Sequence, residues 1–169
     1  MSAKKMLVVY LASTNAVLGV ATLRAAGAPP VGDLVGTALP VRTPGKESGV
    51  AVAAENLAVK EVDYSDDVVR QPLAHGLDSS GSVVPITATI TAVSGTSLAV
   101  SITLSTAAVA DKSALVIVDA GATRDPLKFT AKTTASSSVS VPVTGVPPGL
   151  HDVFVSVDGF APTVGSGSF

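Results

Sequence analysis

Between Ile86 and Leu104, apolar side chains take every second position twice over. The first run is Ile86, Ala88, Ile90 and Ala92 between threonines, and the second is Leu98, Val100, Ile102 and Leu104. A period of two lines such residues along one face of an extended strand, whereas a helix would scatter them. Ser94-Gly95-Thr96-Ser97 separates the runs with turn-forming residues, so the stretch reads as an antiparallel pair with one apolar face. That face requires a second sheet to cover it. Leu115–Val118, Leu127–Ala131, Val139–Val143 and Val153–Val157 supply further short strands between turns, the density of an all-β sandwich.

The first half is organised differently. Leu7, Val9 and Leu11 alternate with Val8 and Tyr10, and after Ser13-Thr14-Asn15 the apolar pattern resumes from Val17 to Leu23. Lys4-Lys5 before this run superficially resembles the start of a leader peptide. The polar interruption favours a hairpin, Met6 to Arg24, that belongs to the mature chain. Both of its faces are apolar, so both are covered, by the same domain or by a neighbouring chain. Leu7, Val9, Tyr10, Leu11, Val17, Leu18 and Val20 are therefore candidate interface residues.

Ala25 to Gly45, with four prolines, reads as extended loop with a short strand near Leu39–Val41. Residues 48–64 fit a helix capped by Ser48 or two strands joined at Glu55-Asn56, and the strands are favoured. QPLAHGLDSSGS, from Gln71 to Ser82, is polar and aperiodic. It divides the chain into a small hairpin-based N-terminal β-domain over 1–75, a linker over 76–83 and a β-sandwich over 84–169.

Composition narrows the function. Hydrophobic residues make up 47% of the chain but aromatic ones only 4%, so the core is built mainly of Ala, Val and Leu. Each fully buried Val or Leu contributes roughly 1.5–3 kcal/mol, and contact with partner subunits is a natural source of more burial. The 11 basic residues are scattered and the net charge is −2, which disfavours a nucleic-acid partner. Cysteine is absent, which removes disulfides and thiolate chemistry. No stretch approaches the ~20 apolar residues of a membrane-spanning helix.

Motifs for phosphate binding, zinc hydrolysis or serine catalysis do not occur. His75 falls in the expected linker and His151 at a strand entrance, so the chain reads as no enzyme, with no cofactor, metal or small-molecule substrate expected. Glu61, Asp63, Asp66 and Asp67 form the densest acidic cluster. It lacks regular cation-loop spacing and reads as a solvated edge rather than a cation site. Asp119 and Asp125, around Gly121, read as an ordinary turn. The Gly165-Ser-Gly-Ser-Phe169 tail has a flexible composition, and Phe169 is held either by its own domain or by a neighbouring subunit.

The run Gly145-Val146-Pro147-Pro148-Gly149-Leu150-His151-Asp152-Val153-Phe154-Val155, followed by Asp158-Gly159-Phe160, resembles the late-strand signature of bacterial and phage immunoglobulin-like and fibronectin-III-like modules. His151 stands where that corner usually has an aromatic residue. The resemblance implies a C-terminal immunoglobulin-like sandwich and a structural role. The expected function is a non-enzymatic subunit of a phage virion or tail-like particle, a capsid or tail decoration that contacts copies of itself and other structural subunits. Such a particle is assembled in the bacterial cytoplasm. The alternative is an adhesion or carbohydrate-binding module at the cell surface.

Overall fold

The run Ala114-Leu115-Val116-Ile117-Val118 is apolar at every position, a pattern suited to a strand covered on both faces. The computed structural model describes residues 4–22, 27–42 and 49–169, and the chain is nearly all β. Its first half forms β1 (Lys5–Leu11), β2 (Val17–Thr22), the short helix α1 (Val31–Val35), β3 (Ala38–Arg42), β4 (Gly49–Ala53), β5 (Leu57–Asp63), the short helix α2 (Asp66–Arg70), β6 (His75–Leu77) and β7 (Val83–Pro85). The second half forms β8 (Ala88–Gly95), β9 (Ala99–Leu104), β10 (Ser113–Val118), β11 (Leu127–Lys132), β12 (Ser138–Pro142), β13 (Leu150–Val157), β14 (Phe160–Ala161) and β15 (Thr163–Ser168).

Two four-stranded sheets, β11-β10-β13-β15 and β12-β9-β8-β14, make up the second half. Between them lie Val100, Ile102 and Val141 from one sheet and Val116, Val153 and Val155 from the other. The opposite face of β10 and β13 is buried as well. There Leu115, Ile117 and Phe154 meet Val9, Leu11, Leu18, Val41, Val50 and Val52 of the first half in one continuous cluster. The sheet β2-β1-β5 and the hairpin β3–β4 thus form a third layer on the sandwich. The far face of β1 is closed in turn by Val68 of α2 and Leu77 of β6, which pack on Met6, Val8 and Val17.

Polar contacts cross the same boundary. The buried hydroxyls of Thr14 and Ser156 lie 2.7 Å apart, and Lys128 Nζ donates to Asn56 Oδ1. The expected units 1–75 and 84–169 therefore share a core. The expected linker 76–83 falls largely within the antiparallel β6–β7 hairpin, where Leu77 pairs with Val83. Its turn is built on Asp78, whose Oδ1 accepts from Ser80 N at 2.9 Å, Ser80 Oγ at 2.6 Å and Ser82 N at 2.9 Å.

Other expectations shift in identifiable ways. Residues 49–63 form two strands around a 3-10 turn at Ala54–Asn56, while Ser48, Leu23 and Arg24 lie outside the described residues. The segment expected as loop contains α1 as well as β3. A register shift between Ile90 and Ala92 turns Ala92 outward and brings Val93 to the core instead. The Gly/Ser tail is a strand, β15, paired along β13. Its glycines are required by close approach: a Cβ on Gly165 would lie 2.9 Å from Val93 Cβ, and one on Gly167 would lie 2.9 Å from Gly95 Cα.

Two outcomes are expected. Phe154 is fully buried where the two halves meet, and Phe154→Ala should lower stability by about 3–5 kcal/mol. Calorimetry of both proteins should show one unfolding transition, and two separate transitions would contradict the shared core. The hydrogen bond from the Ser80 hydroxyl, with the backbone N–H groups behind it, holds the Asp78 carboxyl below its ordinary value of 3.8. A depressed carboxyl stabilises the fold above its unfolded value and loses that contribution as pH falls through the folded one. The gap in urea midpoint between wild type and Asp78→Ala should therefore be steady near neutral pH and close on acidification below 3.8.

Candidate functional site

The apolar hairpin expected to face a neighbour is covered by its own chain. Leu7, Val9, Leu11, Val17 and Leu18 are buried, and Tyr10 and Val20 are half-buried. Val9, Leu11 and Leu18 face the sandwich, while Val17, Tyr10 and Val20 pack on the opposite side with Val68 and Leu77. The alternation demanded cover on both faces, and the third layer and α2 provide it. These residues are thus covered mainly within their own chain, and Leu18 also reaches the edge of a groove.

Several titratable groups of the first half border a cleft of about 600 Å³, among them Lys5, Asp63, Tyr64, Asp67 and His75. Most of them are engaged locally. Lys5 Nζ pairs with Asp63 at 2.6 Å, and the hydrogen bond to that carboxylate raises the lysine pKa. Tyr64 OH donates to Asp66 at 2.8 Å, which raises the phenol pKa, and Lys4 Nζ lies 3.8 Å from the centre of the Tyr64 ring. His75 Nδ1 is 2.9 Å from the Gln71 carbonyl. Asp63 and Asp66 of the acidic cluster are thus engaged by different partners. Among the described residues, no three His, Asp or Glu side chains converge on a point that could hold a metal.

The end of the sandwich where β13 begins is built differently. Leu150 follows the Pro147-Pro148-Gly149 corner, and Gly149 and Phe169 exchange backbone hydrogen bonds at 3.0 and 2.9 Å. The Phe169 ring lies against Gly95 and Gly167, with its centroid 5.9 Å from that of His151. Of the two holders open to Phe169 in the sequence, its own domain provides the contacts. His151 Nδ1 is 2.7 Å from the Asp119 carbonyl and Nε2 is 2.9 Å from the Pro147 carbonyl. Carbonyl oxygens only accept, so the doubly protonated ring donates to both and a neutral ring to one. His151 thereby ties the β10–β11 loop to the Pro-Pro-Gly corner. Asp119 Oδ1 in turn accepts from Gly121 N at 3.0 Å, the geometry of a turn.

On this anchored backbone Leu98 and Leu150 are 78% and 77% exposed. Leu98 stands at the same end, because its carbonyl accepts from Val143 N and its strand pairs Ala99 with Pro142. The alternation of β9 suggested that Leu98 would be internal, but its position in the turn carries it outside. A second surface, with no local signal in the sequence, is a groove of about 680 Å³ lined by Leu18, Val41, Arg42, Arg70, Leu73 and Pro162. Its arginines come from β3 and α2, far apart in the chain, and only the fold brings them to one groove.

Replacing His151 by Ala should remove both ties at once. A loss of about 1–3 kcal/mol is expected from hydrogen-bond deletion at a part-buried site. Hydrogen exchange should rise at Gly149 and Gly121, and unchanged exchange at both would show that the ring does not hold the loops. Set against protein-family models, curated protein sequences and solved structures, the chain matches none.

Proposed function

We propose that the chain is a non-enzymatic structural subunit of a multi-chain assembly, a phage virion or tail-like particle, and that it acts through protein–protein contacts. The observation that carries this reading is the pair of exposed leucines held on hydrogen-bonded loops. Exposed apolar side chains on a fixed backbone lose little conformational freedom when a partner covers them. The doubly apolar hairpin, which suggested assembly from sequence, no longer contributes, since it is satisfied internally.

An immunoglobulin-like identity for the second half belongs to the same proposal. Its support is the strand order, with β8, β9 and β12 in one sheet and β10, β11, β13 and β15 in the other, so that successive strands cross between sheets. A carbohydrate-binding role draws less support, because Phe154 and Phe160 are buried and Phe129 packs on the core, away from any aromatic platform.

The test is recovery of the chain from its native source by gentle lysis and size fractionation, followed by cross-linking and mass spectrometry. The reading expects the chain in a large particle, at fixed stoichiometry and cross-linked to other structural subunits. Recovery as a free monomer without such cross-links would overturn it.

A further inference from the structure

The groove and the leucine-bearing end lie at opposite ends of the same strand. Pro162, which immediately precedes β15, lines the groove, and Phe169, which immediately follows it, packs in the leucine-bearing end. At about 3.3 Å per residue the strand separates the two surfaces by roughly 20 Å.

Their chemistries are complementary. The groove has an apolar floor of Leu18, Val41 and Leu73 beneath Arg42 and Arg70, and neither arginine forms an ion pair among the described residues. α2 divides its charges between two clefts, Asp67 lining the one beside Lys5 and Arg70 lining the groove. The other end presents Leu98 and Leu150, and where β13 begins Asp152 lies beside Asp119, whose N–H donates to the Asp152 carbonyl at 2.9 Å, with Arg124 the one lysine or arginine of the β10–β11 loop. Arginine pairs with carboxylates through two parallel hydrogen bonds, and the leucines match the apolar floor.

We propose that the Leu98/Leu150 end of one copy seats in the Arg42/Arg70 groove of the next, head to tail. The proposal rests on the reading of the chain as an assembly subunit and adds the contact through which copies meet. The contact is heterologous: each copy keeps a free groove at one end and a free leucine pair at the other. Such contacts extend into rings or open arrays and do not stop at a symmetric dimer.

Two variants of the full chain, altered only at exposed positions, test this. Arg42→Glu/Arg70→Glu removes the groove's charge, and Leu98→Asp/Leu150→Asp removes the apolar end. In sedimentation velocity over a rising concentration series, the wild type should associate progressively and each variant alone should lose that association. Mixed in equal amounts, the variants should form a dimer and nothing larger, since one intact groove meets one intact end. Circular dichroism and thermal melting of each variant should match the wild type, separating lost contact from lost fold. A wild type that stays monomeric throughout, a variant that associates like the wild type, or a mixture that stays monomeric would each overturn the contact. If the native chain is nevertheless recovered in a large particle, only the head-to-tail contact fails and the assembly role stands.

Discussion

Burial of both faces of β10 and β13 is the constraint on which the remaining architecture depends. A sheet with one apolar face needs one partner layer, and the sandwich would be complete with two. Here Val116, Val153 and Val155 point into the sandwich while Leu115, Ile117 and Phe154 point out of it, so a third layer is obligatory. The β1–β2 hairpin meets that demand, and having two apolar faces of its own it passes the demand outward to α2 and β6. Each layer is thus stabilised by the next, and the series ends where short polar turns and helices can face water.

This arrangement compensates for a core poor in aromatic residues. Small aliphatic side chains bury little area each, so stability has to come from the number of covered faces. The polar groups admitted to the layer boundary are paired with one another, as Thr14 is with Ser156. An unpaired hydroxyl there would have cost about 1–3 kcal/mol. The same economy of size governs the sandwich seam, where glycines in β8 and β15 allow two backbones to approach more closely than any side chain would permit.

The sequence was most legible where one local rule decides the outcome. Alternation located β9, β12 and β13, and the continuous apolar run located β10. It was least legible where a distant partner decides. Phe154 and Ser156 are correctly placed on one face of β13 by alternation, but nothing local says that the face meets Thr14 and Leu11. The Gly/Ser tail has the composition of a flexible linker, and its role as β15 follows from the closeness of Val93 and Gly95. The signal for α2 was present in Asp66 and Asp67 at one end and Arg70 at the other, charges that complement a helix dipole, yet five residues are too few for periodicity to register. The candidate surfaces depend on such distant juxtapositions, and composition carries no trace of them.

The hydrogen bond between Thr14 and Ser156 also has a temporal meaning, because it joins positions 142 residues apart. During synthesis the hairpin emerges before β3 and β4, and Phe154 of β13, which packs into the cluster around Val9, Leu11 and Leu18, follows more than a hundred positions later. For that interval its sandwich-facing side lacks its final cover, and closing such distant contacts is intrinsically slow. The nascent hairpin is then the part of the chain most in need of protection by a chaperone, and the arrival of β13 ends that need.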